Sequence, residues 1–177
     1  ITRIPLIWRW PGHIRSGERR PEMVEGIDFF PTVLDLCGLE IPVGVQGISH
    51  ARALKGEEAY QAREVCFSEC GVEGRVPTLE DLESIDLPES PYSDWVLGAS
   101  GGEFYWNGRL KMARDERWKL VYYSRGEGEL YDMESDPWEL DNLYRSADHQ
   151  DIVAELKERI LRWTIDSEDV LPPLRRG

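Results

Sequence analysis

Three short apolar runs in close succession, residues 110–114, 118–123 and 129–132, constrain this chain more than any other feature. Each has strand length and is rich in Leu, Val, Trp and Tyr. Asp115-Glu116 separates the first two, and a Gly-containing turn separates the second pair. Connections this short join antiparallel neighbours, because a parallel crossover needs a dozen or more residues. Residues 65–69 read as a fourth strand. Downstream, Ile152, Val153, Leu156, Ile160 and Trp163 recur at steps of three and four. Glu155, Glu158, Arg159 and Arg162 fall on the opposite face, so the spacing predicts an amphipathic helix over residues 151–165. Pro172-Pro173 excludes helix from the tail.

Upstream the pattern changes. Ile4-Pro5-Leu6-Ile7-Trp8, bounded by Trp10-Pro11-Gly12, predicts a buried strand that ends in a turn. Residues 25–36 predict a helix with Asp28 as N-cap and Pro31 in the first turn, where a missing N–H costs nothing. Phe29, Phe30, Val33, Leu34 and Cys37 form its apolar stripe, which places Cys37 in the core, and Gly38 is the expected stop. Residues 45–56 read as a loop with a helical turn near 51–54.

A chain of 177 residues is one domain, or one domain plus part of another. Acids outnumber bases by 34 to 21, and a net charge of -13 argues against nucleic acid and anionic membranes as partners. No apolar run approaches the roughly 18 residues of a membrane span. Ile1–Trp10 lacks the pattern of a secretory leader, and the opening in a strand-like run is that expected of a chain cut internally. Cys66 and Cys70 fall on one face of a strand about 13 Å apart, too far to bridge. Three dispersed histidines give no zinc spacing. Asp132, Glu134 and Asp136 alternate as calcium-loop ligands do, but Pro137 stands where that loop needs glycine. No phosphate-binding glycine loop and no Gly-x-Ser-x-Gly elbow is present.

Four segments together resemble the C-terminal third of sulfatases of the alkaline-phosphatase-like superfamily. They are Ile4-Pro-Leu-Ile-Trp-Arg-Trp-Pro-Gly-His-Ile, Ile27-Asp-Phe-Phe-Pro-Thr-Val-Leu-Asp-Leu-Cys-Gly, Arg114-Asp-Glu-Arg-Trp-Lys-Leu-Val-Tyr-Tyr and Glu129-Leu-Tyr-Asp-Met-Glu-Ser-Asp-Pro-Trp-Glu-Leu-Asp-Asn-Leu. Gln46-Gly47 and Leu54-Lys55-Gly56 match as well. The resemblance implies an α+β fold: a small antiparallel sheet of about four strands with a long C-terminal helix. Before it would come the last strand and helix of an alkaline-phosphatase-like α/β domain. Residues 1–60 would be that terminal strand-helix piece, and residues 61–177 the C-terminal subdomain.

The same resemblance implies a parent that hydrolyses sulfuric esters with a formylglycine nucleophile and a divalent cation, calcium or magnesium. A phosphonate or phosphate monoester hydrolase of the superfamily, or a non-catalytic interaction module, would share the pattern. The nucleophile motif Cys/Ser-x-Pro-Ser-Arg follows none of Cys37, Cys66 and Cys70. Asp141-Asn142 lies in the C-terminal turn, outside the family's metal-ligand context. The chain is therefore expected to be inactive alone, with no catalytic residue, metal ligand or cofactor of its own. Its expected partner is a catalytic N-terminal domain, and the sulfate-ester substrate belongs to the parent. Apolar faces left without that domain would favour a homo-oligomer. Residues 71–108 read as a long acidic loop, with eight acids and one base between Gly71 and Glu103. Among its aromatics, Trp95, Tyr105 and Trp106 are candidates for the rim of the substrate cleft.

Overall fold

The computed structural model describes residues 4–57, 60, 62–70 and 109–167. The chain divides into two compact units, Ile1–Cys66 with Leu161–Gly177, and Phe67–Ile160.

In the second unit the meander forms as the turn chemistry requires. The strands are β1 (Cys66–Cys70), β2 (Leu110–Arg114), β3 (Trp118–Tyr123) and β4 (Gly128–Asp132), in the spatial order β1-β2-β3-β4. Strands β2 and β3 pair antiparallel with Met112 opposite Val121, and β3 and β4 with Leu120 opposite Leu130. Asp115 closes the first turn by accepting the Arg117 and Trp118 N–H groups at 2.9 and 2.6 Å. Such Asx turns reverse the chain without glycine.

Alternation then assigns two faces. Leu110, Met112 and Val121 form one buried cluster, with Cys70 and Tyr123 packed against it. Trp118, Leu120 and Tyr122 point the other way. A helix, α3 (Gln150–Asp166), follows a 3-10 turn at Ala147–His149. His149 meets the Trp118 ring edge-on at 5.5 Å, and the Lys157 ammonium lies 4.3 Å from the Tyr122 ring centre. Leu120, Leu130 and Leu156 are fully buried. Each such side chain contributes about 1.5–3 kcal/mol of transfer free energy. The expected helix and its buried stripe are observed at Val153, Leu156 and Ile160.

The first unit holds α1 (Phe29–Leu36), entered through a 3-10 turn at Gly26–Asp28, and α2 (Ala51–Lys55). Gly38 ends α1 with φ of 70°, and the Leu39 N–H returns to the Leu34 carbonyl at 2.9 Å. This is the glycine stop expected from sequence. Three expectations are revised. Residues 4–8 form no strand: Ile4 is 70% and Ile7 86% exposed, because no described strand lies beside them to complete a ladder. The α1 stripe is only partly borne out: Val33 and Leu34 are half-buried, but Phe29 and Phe30 are half exposed and Cys37 exposed, while Pro31 and Thr32 are buried. Asp28 stands at the N-cap position but caps nothing on α1. Asp28, Thr32 and Asp35 turn their polar groups to residues 48–50, and this covers the Asp28–Thr32 side of α1 instead.

Candidate functional site

Among the described residues of the first unit the most heavily bonded side chain is Asp28, fully buried at the start of α1. Its carboxylate accepts the Glu25 N–H at 2.9 Å and the Ile48 N–H at 2.8 Å. Arg63 donates through Nε at 3.1 Å and through Nη2 to the other oxygen. His50 Nε2 adds a bond at 3.1 Å. Burial pushes this carboxyl up, but the bonds from His50 and Arg63, then from the two backbone groups, outweigh it. They hold Asp28 far below the usual carboxylate range.

Residues 46–50 are laid against α1 by further bonds. The His50 N–H reaches Thr32 Oγ1 at 2.9 Å, and the Ser49 hydroxyl reaches Asp35 at 2.5 Å. Gly47 permits the approach. A Cβ there would lie 2.1 Å from the Ile27 carbonyl oxygen, so no other residue fits without backbone movement. This is the physical content of the Gln46-Gly47 pair.

Asp28, His50 and Tyr60 form a carboxylate–imidazole–hydroxyl chain, with Tyr60 Oη 2.5 Å from His50 Nδ1. The order resembles a nucleophile triad, yet the electrostatics run against that role. Burial, and then the negative charge of Asp28, raise the Tyr60 phenol above its ordinary value, so it stays protonated. The carboxylate's charge is balanced by Arg63. The chain ties His50, Tyr60 and Arg63 to Asp28 rather than activating an oxygen.

A second set of polar residues governs the turn after β4. Arg117 holds the Asp132 carboxyl down at about 2 through bonds from Nε at 3.2 Å and Nη2 at 2.9 Å. Asp136 accepts the Leu140 and Asp141 N–H groups at 2.7 and 2.9 Å. Asn142 Oδ1 accepts those of Leu130 and Tyr144 at 3.1 and 2.9 Å. Lys119, buried in β3, ends on Glu139, the one described non-glycine residue with positive φ. Asp132, Asp136, Glu139 and Asn142 thus each serve a backbone or charge partner in the turn or in the strands beside it.

These donor sets do not fit a formylglycine and divalent-cation centre. Cys37 is followed by Gly-Leu-Glu, Cys66 by Phe-Ser-Glu and Cys70 by Gly-Val-Glu. Both strongly acidic carboxylates are already neutralised by arginine. Among the described residues no three His, Cys, Asp or Glu side chains converge as metal ligands. Trp95, Tyr105 and Trp106 lie outside the described residues. Sequence reasoning found Asp28, Asp136 and Asn142 but missed His50, Tyr60 and Arg63. The available signal was Asp28 and Thr32, polar residues one helical turn apart and buried.

The polar residues of both units are bound to the backbone and to one another, as in a scaffold rather than a reaction centre. The family model for N-sulphoglucosamine sulphohydrolase, C-terminal, matches residues 1–70 and 108–166, and the chain belongs to this family. A Delta 4,5-hexuronate-2-O-sulfatase of Bacteroides thetaiotaomicron is 28% identical over 96% of this chain and 30% of its own length. An N-acetylglucosamine-6-O-sulfatase of the same organism is 26% identical over 88% of this chain and 24% of its own length. Among solved structures, a phosphonate monoester hydrolase from Silicibacter pomeroyi superposes with a TM-score of 0.65 at 27% identity. That match covers 92% of this chain and 29% of the other. The chain thus spans under a third of the length of these relatives, and it corresponds to the C-terminal region of a sulfatase.

Proposed function

We propose that this chain completes the fold and the substrate-cleft rim of a formylglycine-dependent sulfatase whose nucleophile and metal ligands lie in a preceding domain. The observation that carries the reading is how the matching acidic residues are used. Asp28, Asp132 and Asp136 are all spent on arginine or backbone N–H groups, so the matched segments build scaffold. Sulfate hydrolysis needs positive charge on the leaving oxygens and an activated nucleophile. Neither can be assembled from these residues. Residues 1–60 belong in this reading to the large α/β domain, and residues 61–177 form the C-terminal subdomain. Trp95, Tyr105 and Trp106 are assigned to the non-sulfate part of the substrate, which the hexuronate and N-acetylglucosamine sulfatases suggest is a sugar.

The family model and both curated relatives favour a sulfuric ester over a phosphonate. The test is an assay of the longer protein on an aryl sulfate and on an aryl phosphonate. Faster turnover of the sulfate is expected; exclusive turnover of the phosphonate overturns the reading. For the rim, Trp95→Ala or Trp106→Ala should raise KM on the natural substrate more than on a small aryl sulfate.

A further inference from the structure

We propose that Arg114, Trp138 and Leu140 seat the preceding domain of the longer protein, which places a carboxylate on Arg114 and apolar surface over Trp138 and Leu140. The proposal rests on the reading above, in which such a domain exists. All three residues lie within the unit Phe67–Ile160.

Arg114 ends β2 directly opposite Lys119 on β3, and Lys119 lies opposite Tyr131 on β4. Like charges directly opposite repel. Lys119 is buried and is neutralised by Glu139 from the turn after β4. Tyr131 gives its hydroxyl proton to Glu129 at 3.0 Å. Among the described residues no carboxylate pairs with Arg114, and its Nε is buried without an acceptor. An exposed guanidinium left alone is hydrated; a buried donor is not, and it destabilises until an acceptor reaches it. Nε is one of the two donors of the fork by which arginine takes a carboxylate, as Arg63 does on Asp28.

Glu139 joins this cross-strand row to two apolar side chains. It stands between Trp138 and Leu140, which are 81% and 84% exposed. Among the described residues of this unit these two are the exposed large apolar side chains. Their backbone is fixed: Asp136 accepts the Leu140 and Asp141 N–H groups, and Glu139, with a φ of 59°, is tied to β3. A surface held in this way loses little further freedom on association. Tryptophan and arginine are the residue types enriched at the centres of interfaces. The occupant is set by what Arg114 needs. A second copy presenting the same surface would bring another uncompensated guanidinium and not the carboxylate. The chain spans under a third of the length of its curated relatives, which leaves the larger part of such a protein to be seated.

The experiment uses the longer protein. In its Arg114→Lys variant a water-soluble carbodiimide joins the introduced amine to a carboxylate in contact with it, and peptide mass mapping identifies the product. A cross-link from position 114 to a peptide of the preceding domain is expected. No cross-link, or one confined to peptides of the 177-residue chain, would overturn the proposal. Hydroxyl-radical footprinting of the unmutated protein gives a second reading that does not depend on the variant. Trp138 and Leu140 should be oxidised several-fold more slowly in the longer protein than in the 177-residue chain, and equal rates would overturn the proposal. Both readings are made without turnover, so their failure is distinct from a failure of the sulfatase assay.

Discussion

Arg63 and Asp28, 35 positions apart, meet fork to fork, with Nε and Nη2 of the arginine on different oxygens of one fully buried carboxylate. A buried pair of this kind adds little against an apolar alternative, but removing one partner strands the other charge. Asp28→Asn is expected to cost about 3 kcal/mol, and Arg63→Met a similar amount. The double variant should lose less than the sum. Urea unfolding of the four proteins gives the coupling directly, and strict additivity would show that the two residues do not act together.

The acid response follows from the same carboxylates. Asp28 and Asp132 both titrate lower in the folded chain than in the unfolded one. Their stabilisation is present above the unfolded carboxylate value, about 3.9, and is lost as pH falls. For Asp132 the loss runs down to about 2; for Asp28 it continues lower. The urea midpoint should therefore drop between roughly pH 5 and pH 2. Asp132→Asn should flatten part of that slope, and an unchanged slope would contradict the Arg117–Asp132 pairing.

Gly47 gives a steric test. Its Cβ would meet Ile27 backbone at 2.1 Å, whereas a Cβ on Gly26 would meet nothing within 4 Å. Gly47→Ala is expected to destabilise by about 2–3 kcal/mol, since backbone rather than a rotatable side chain must yield. Gly26→Ala should stay within about 0.5 kcal/mol. Thermal melts of the two variants check the contrast.

Much of the second unit was legible because its determinants are local. Asp115 sets its turn within three residues, and the period of α3 is carried by its own residues. The C-terminal turn was read for the same reason, as Asp136 bonds N–H groups four and five residues on. The first unit was legible only in outline. The run at residues 4–8 has strand composition but no partner strand among the described residues, and composition alone does not supply one. The α1 stripe misled because Phe29 and Phe30 mark an apolar face without saying what covers it. The contacts that decided the packing, His50 and Arg63 on Asp28, span 22 and 35 positions and leave no periodic trace.

The exposed apolar side chains of the first unit make a further expectation. Ile4, Ile7, Phe29 and Phe30 are each more than half exposed. Patches of this kind drive association. Light scattering of the 177-residue chain should show a dimer or larger species that Ile7→Lys with Phe30→Lys reduces to monomer. A clean monomer at high concentration in the unmutated chain would contradict it.

The most direct measurement is sulfate release from an aryl sulfate, with calcium present, by the purified 177-residue chain and by the longer protein that carries it after formylglycine maturation. No chelator-sensitive release is expected from the chain, and chelator-sensitive release is expected from the longer protein. Chelator-sensitive turnover by the chain alone, from a preparation free of contaminating enzyme, would contradict it.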